Sequence, residues 1–148
     1  LPIYPAKGYS LTIPLRDAAI PPPISITDES HKLVFSRLGD RLRVAGTAEL
    51  AGYNTEINTQ RCAATQARCR SLFPRLIGQA APQAWAGLRP ATPNNMPFIG
   101  RSRYRNLYLN TGHGTLGWTQ SCGSAAALAQ IMTGKTPEID FPFLCAAD

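Results

Sequence analysis

Asn110-Thr111-Gly112-His113-Gly114-Thr115-Leu116-Gly117-Trp118-Thr119 carries three glycines within six residues. Leu107-Tyr108-Leu109 before it reads as the end of a buried strand. Gln120 to Thr133 after it reads as a helix, stopped by Gly134 and Lys135. At such a strand-to-helix turn bare backbone can come close to a ligand. The first N–H groups of the helix point into the turn and carry the positive end of its dipole. The guest they suit is electron-rich: a phosphate, a carboxylate, or the carbonyl edge of a flavin ring. The same spacing equally serves a tight connection that only packs helix on sheet, and the turn alone does not choose between them.

Arg89 is the second residue with chemistry to offer. It stands in Trp85-Ala86-Gly87-Leu88-Arg89-Pro90, where the following proline biases its backbone to extended geometry. Leu88 and Trp85 surround it with apolar bulk, and a guanidinium so placed needs an anionic partner. A salt bridge with one of the nine acidic residues is the plainer role. A clamp for a substrate carboxylate is the sharper one, because the planar fork matches that geometry bidentately.

Other chemistries find little support. Cys62, Cys69, Cys122 and Cys145 show no CxxC spacing and no nearby histidine, so no metal site is expected. Cys62 and Cys69 lie about 10 Å apart along one helix, too far for a disulfide, and all four cysteines read as reduced thiols of a cytosolic protein. Neither Ser121 nor Cys122 sits in a nucleophile elbow. The net charge of +6 invites nucleic acid or an anionic membrane, but the arginines are scattered and no basic helix interleaves aromatics, so nucleic acid is not expected.

The elements that must position these residues are short. With 44% hydrophobic and 16% charged residues the chain has the composition of a globular domain. No run of about 18 apolar residues is present to span a membrane, and no charged-then-apolar leader is visible. The chain opens on Leu1, which suggests a fragment or a processed product. Lys7 to Pro14 alternates as a half-buried strand, with Tyr9, Leu11 and Ile13 on one face. Arg16 to Pro23 breaks it, where three consecutive prolines forbid regular structure, and Ile24 to Thr27 is expected as a short strand. Leu33 to Ala45 reads as a β-hairpin turning at Gly39-Asp40, extended by Thr47 and Glu49 to a break at Gly52. Asn58 is placed to cap a helix running to Phe73 and ended by Pro74. Its apolar side is expected at Cys62, Cys69, Leu72 and Phe73, with Arg61, Arg68 and Arg70 toward solvent. Pro93 to Pro97 turns the chain into a strand at Phe98-Ile99-Gly100. In the last helix Gly117, Ser121 and Ser124 make a face without bulk, and Cys122, Ala125, Ala129 and Met132 an apolar stripe expected in the core. The tail from Thr136 should be irregular and peripheral.

Three blocks, Tyr4-Pro5-Ala6-Lys7-Gly8-Tyr9-Ser10-Leu11-Thr12, Trp85 to Pro93 and Leu109 to Thr119, stand in this order. In order and spacing they resemble the C-terminal part of the bacterial D-amino-acid dehydrogenase small subunits, within the wider D-amino-acid oxidase family of FAD enzymes. Arg41-Leu42-Arg43-Val44-Ala45-Gly46 and Leu72-Phe73-Pro74 fit as well, so the resemblance covers nearly the whole chain. It implies oxidative deamination of D-amino acids such as D-alanine to 2-oxo acids and ammonia, a hydride passing from substrate Cα to flavin N5. It implies electrons handed to a respiratory-chain acceptor by a cytoplasmic protein, peripheral on the inner face of the cell membrane. By this resemblance Arg89 is the catalytic residue that pairs with the substrate carboxylate. Tyr53 and Tyr9 are candidates to line the substrate pocket, and Gly112, Gly114, Thr115, Leu116, Gly117, Trp118 and Thr119 to contact the flavin. His113 is assigned no acid or base duty.

The family's Rossmann-type G-x-G-x-x-G, which binds the ADP part of FAD, has no counterpart here. Gly112 to Gly117 shares its form, but no second strand of a βαβ unit follows, and the match is one of spacing. The expectation is an α+β fragment: a mostly antiparallel substrate-binding sheet with a covering helix at 1–100, and a strand-turn-helix of an incomplete FAD-binding domain at 101–148. Such a chain should be inactive alone, and its exposed edges favour self-association. Two other readings stay open: a glycine- or sarcosine-type amine oxidase fragment, and a non-catalytic basic module that binds anions.

Overall fold

A computed structural model describes residues 1–16, 22–76 and 80–144. Cys145, and the part of the proline-rich break at 17–21, lie outside the described residues. The chain divides into two compact units, Lys7–Leu88 and Leu1–Ala6 with Arg89–Asp148.

The first unit is built on a sheet of five strands: β1 (Tyr4–Pro14), β2 (Ile26–Asp28), β3 (Leu33–Leu38), β4 (Arg41–Glu49) and β5 (Gln83–Ala91). Their order is β2-β3-β4-β1-β5. The β2–β3, β3–β4 and β4–β1 pairs are antiparallel. The first residues of β1 and the last of β5 belong to the other unit. The hairpin β3–β4 turns where the sequence indicates, at Gly39 with φ +61°, a conformation open to glycine at little cost. β1 begins three residues earlier than its alternation suggests, because Tyr4-Pro5-Ala6 is extended too.

The alternation of β1, β3 and β4 aims Leu11, Ile13, Leu33, Phe35, Leu42 and Val44 at one face, where all are buried. Helix α1 (Thr59–Leu72) covers that face through Cys69, followed by Phe73 and a 3₁₀ turn at Pro74–Leu76. Phe35 and Phe73 meet edge-to-face at 5.3 Å between ring centroids, the geometry favoured by aromatic quadrupoles. As expected, Asn58 caps α1, its side-chain oxygen accepting from the N–H groups of Gln60 and Arg61 at 3.0 and 3.2 Å. Two expectations for α1 fail. Leu72 is exposed, since Cys69 and Phe73 already occupy the contact with the sheet. Arg68 does not lean to solvent but donates from Nε to Asp28 Oδ2 at 2.7 Å, drawn down by the carboxylate at the end of β2.

In the second unit β6 (Phe98–Arg101) and β7 (Tyr108–Thr111) form an antiparallel ribbon, and helix α2 (Gly117–Met132) packs on it. α2 starts at Gly117 rather than Gln120, so Trp118 and Thr119 form its first turn. It stops where expected: Gly134 has φ +74° and donates to the Ile131 carbonyl at 3.2 Å, a C-terminal glycine stop. The stripe Cys122, Ala125, Ala129 and Met132 is not core but exposed. Ser124 and Ala127 are the buried positions, with Gln120 and Ile131 half-buried beside them. That spacing of four, three and four residues marks the opposite side of the helix. A two-stranded ribbon can cover one side only, and it covers the more polar one. The tail is irregular yet not peripheral: Leu144 donates to Ile99 and accepts from Arg101, at 2.8 and 2.9 Å, in a parallel bridge beside β6.

Candidate functional site

Between β7 and α2 the glycine turn takes the shape its residues demand. Gly112 is buried with φ +83°, and a Cβ there would stand 2.7 Å from Thr92 Cγ2. Gly114 has φ +53°, and nothing lies within 4 Å of where its Cβ would be. Gly117 has ordinary backbone and room for a Cβ, so sterics do not require that glycine.

The turn is fastened inside its own unit. Gly114 donates its N–H to the Pro90 carbonyl at 2.9 Å, and Leu116 donates to the His113 carbonyl at 3.0 Å. His113 Nε2 and Ser124 Oγ are 2.9 Å apart, and Ser124 is buried. Thr92, whose methyl packs against Gly112, donates from Oγ1 to the Met96 carbonyl at 3.0 Å.

What the turn presents is α2's N-terminus. The cap residue Leu116 makes no side-chain capping bond, and the first turn holds no acidic residue. By position the N–H groups of Gly117, Trp118 and Thr119 have no intrahelical acceptor. Thr115, Leu116, Trp118 and Thr119 are exposed, Trp118 almost completely. An electron-rich ring edge suits these residues, because the first turn of α2 carries no acidic side chain and nothing lies within 4 Å of where a Cβ of Gly114 would be. β7 pairs antiparallel with β6, so among the described residues the turn opens no βαβ unit. Its likeness to a dinucleotide fingerprint is one of spacing, as read from the sequence.

Arg89 lies near the end of β5, half-buried, one residue before the carbonyl that anchors Gly114. The extended backbone expected before Pro90 is present. Trp85 does not give the apolar cover expected of it: it is exposed, and its ring folds onto Gly87, filling the place of a Cβ there. Arg89 and the glycine turn thus belong to one compact unit. Tyr9 and Tyr53 belong to the other.

Tyr9 is buried and committed: its hydroxyl donates a hydrogen bond to the Glu49 carboxylate. Lys7, also buried, lies 3.3 Å from the same carboxylate and donates to the Glu56 carbonyl at 3.0 Å. Arg61 adds a looser contact to Glu49 at 3.6 Å. A bulge makes this possible: Lys7 pairs with Glu49 but Tyr9 with Gly46, and Thr47 between takes φ +55°. The hydrogen bond from Tyr9, then that from Lys7, holds the Glu49 carboxyl below its usual range. Burial pulls the Lys7 ammonium down, yet the bonds and charge of Tyr9 and Glu49 outweigh it and the net direction is upward. Sequence reading missed this cluster; the lysine at an inward position of β1 was its signal. Tyr53, by contrast, is 84% exposed in the loop after β4.

Burial makes two of the described cysteines, Cys62 and Cys69, poor nucleophiles. Cys62, Cys69 and Cys122 are free, and burial lifts the Cys62 thiol and pushes Cys69 up to about 11. Among the described residues no group of three or more His, Cys, Asp or Glu is placed to hold a metal. No helix among them is long and apolar enough to cross a membrane.

The model of the FAD-dependent oxidoreductase family, DAO, matches residues 1–131. A D-amino acid dehydrogenase of Dechloromonas aromatica is 62% identical over 97% of this chain, and one of Granulibacter bethesdensis 51% identical over 99%. The chain spans about a third of the length of these curated relatives, 34% and 35%. Among solved structures, glycine oxidase from Geobacillus kaustophilus superposes with TM-score 0.86 at 19% identity, over 96% of this chain and 38% of its own. Iminodiacetate oxidase from Chelativorans gives TM-score 0.86 at 21% identity, over 95% and 39%. At these identities the likeness establishes the fold.

Proposed function

The chain belongs to the FAD-dependent oxidoreductase family, and from that premise we propose that it is the substrate-side part of a D-amino-acid dehydrogenase, inactive alone. The observation that carries this reading is the Gly114–Pro90 hydrogen bond. It sets the residue after Arg89 against the turn whose helix amides await an electron-rich group. The names of the relatives at 62% and 51% identity support the substrate class.

In this reading FAD, when bound, supplies the acceptor for the hydride leaving the amino acid's Cα. Gly112, Gly114, Thr115, Leu116, Gly117, Trp118 and Thr119 hold its ring edge, and the free amides of α2 stabilise negative charge there. Arg89 grips the substrate carboxylate through two parallel N–H bonds and so orients the Cα–H bond. Tyr9 and Tyr53 remain candidates for the substrate pocket. In role, residues 1–100 form the substrate side and 101–148 the cofactor side. Electrons pass on to a respiratory-chain acceptor, and the net charge of +6 supports approach to an anionic inner membrane face.

The test is a dye-linked D-alanine dehydrogenase assay with added FAD. It uses this chain alone, and this chain in place of the matching third of the Dechloromonas aromatica relative, each with and without Arg89→Ala. Activity is expected only in the chimaera. Arg89→Ala should lower kcat/KM by roughly 30-fold to several-thousand-fold, the cost of leaving one partner of a charge pair unmatched. Full activity from the 148 residues alone would overturn the reading of an incomplete enzyme. An Arg89→Ala chimaera as active as its parent would overturn the clamp.

A further inference from the structure

α2 has neither of the usual devices that fix a helix start, a side-chain cap or an acid in its first turn. Its direction must be set otherwise. His113 precedes the helix by four residues, and its ring reaches over the first two turns to the hydroxyl of Ser124 at 2.9 Å. The His113 carbonyl meanwhile accepts from Leu116, the residue at the cap, and the adjoining Gly114 is tied to Pro90. Backbone and ring of one residue thus grip the two ends of the helix's first segment. Ser124 sits on the side of α2 that faces the β6–β7 ribbon, so the grip refers the helix start to the packed interior. Of the small residues expected to let α2 lie close to a neighbour, Ser124 is buried while Ser121 is exposed and bonded to its own helix, at the Trp118 carbonyl.

We infer that His113 and Ser124 are positioning residues whose hydrogen bond aims the free N–H groups of Gly117, Trp118 and Thr119, and so sets how tightly the turn holds the flavin edge. This rests on the reading of the turn as part of a flavin site. His113 needs no proton transfer for the task; either tautomer pairs with a hydroxyl, which both donates and accepts. Glutamine retains a polar group able to meet Ser124, whereas alanine at either position removes the bond.

Two measurements separate the anchor from the cofactor. Amide hydrogen exchange on the 148-residue chain reports the anchor directly. Ser124→Ala and His113→Ala should each speed exchange at Gly114 and Leu116 by roughly tenfold, the double variant no further, and His113→Gln should stay within about threefold of the parent. Amides of the β3–β4 hairpin should not change, which distinguishes a loosened turn from an unfolded chain. Fluorescence titration of FAD into the chimaera should show roughly tenfold weaker binding and a shifted flavin absorption band with Ser124→Ala, and recovery in His113→Gln relative to His113→Ala. Unchanged exchange at the turn in both alanine variants overturns the anchor. A loosened turn with unaltered FAD affinity and spectrum overturns its link to the cofactor. An unsubstituted chimaera that binds no FAD overturns the function proposed above and the cofactor half of this inference together, whatever the exchange shows.

Discussion

Two glycines of one turn answer to different constraints. Gly112 needs its positive φ and also the absence of a Cβ, since Thr92 Cγ2 would be 2.7 Å away; Gly114 needs only the positive φ. Gly114→Ala should therefore cost about 1 kcal/mol, the lower end for a residue held in a sparsely populated backbone region. Gly112→Ala adds a steric clash and should cost about 2–4 kcal/mol. Urea unfolding of the two variants checks the order, and an equal loss would show that Thr92 yields freely. Asp28 makes a second prediction. Its carboxyl is held far below the usual range, first by the Arg68 guanidinium, then by the Ser30 hydroxyl, against the pull of burial. A carboxyl depressed in the folded state contributes stability above its unfolded pKa of about 4, and that contribution fades as the pH falls. Asp28→Asn should lower the Tm at pH 7 and flatten its decline between pH 5 and 3. A variant with the parent's acid slope would refute the ion pair's role.

At the level of elements, α1 and α2 begin by opposite means. α1 is closed by Asn58, whose side chain satisfies two of the orphan amides; α2 leaves its first amides open. The difference leaves α1 closed at its start over the core it covers, and α2 with the open start that the proposed flavin contact would use. Asn58→Ala should cost about 1 kcal/mol and Asn58→Asp almost nothing, measured by thermal unfolding. A loss of less than about 0.3 kcal/mol would mean that water replaces the cap. The cap of α1 was legible in the sequence, as were the glycine turn of the hairpin and the stop of α2, because each is decided within a few residues. The buried side of α2 was not. Cys122, Ala125, Ala129 and Met132 are apolar by type, yet Ser124 and Ala127 meet the ribbon. Which stripe is inside depends on the partner surface.

Across the whole molecule, α2 carries an apolar stripe of Trp118, Cys122, Ala125, Ala129 and Met132 that no described residue buries. Contiguous exposed apolar surface of this kind promotes association. Self-association is thus the expected behaviour of the isolated 16.0 kDa chain. Sedimentation velocity should show the average mass rising with concentration, and Ala129→Glu with Met132→Glu should return it to the monomer. A monomer at every concentration would show that the stripe is inert. The chain spans about a third of its curated relatives, and under the proposed function activity is expected only with the remainder of such an enzyme present.

By itself the sequence determined the family, the alternating strands, the capped helix and the glycine turn with Arg89 upstream of it. These are short-range matters of side-chain period, backbone freedom and hydrogen-bond capacity. Only the tertiary structure decided that Pro90 accepts from Gly114, that His113 reaches Ser124, that Tyr9 is spent on Glu49 and Lys7, and that Leu144 returns to β6. Each of those contacts joins residues whose meeting depends on how separate strands and helices pack, through a β-bulge, a parallel bridge or a chosen helix face. No local pattern carries that information, because the free energy that selects it is shared among distant partners.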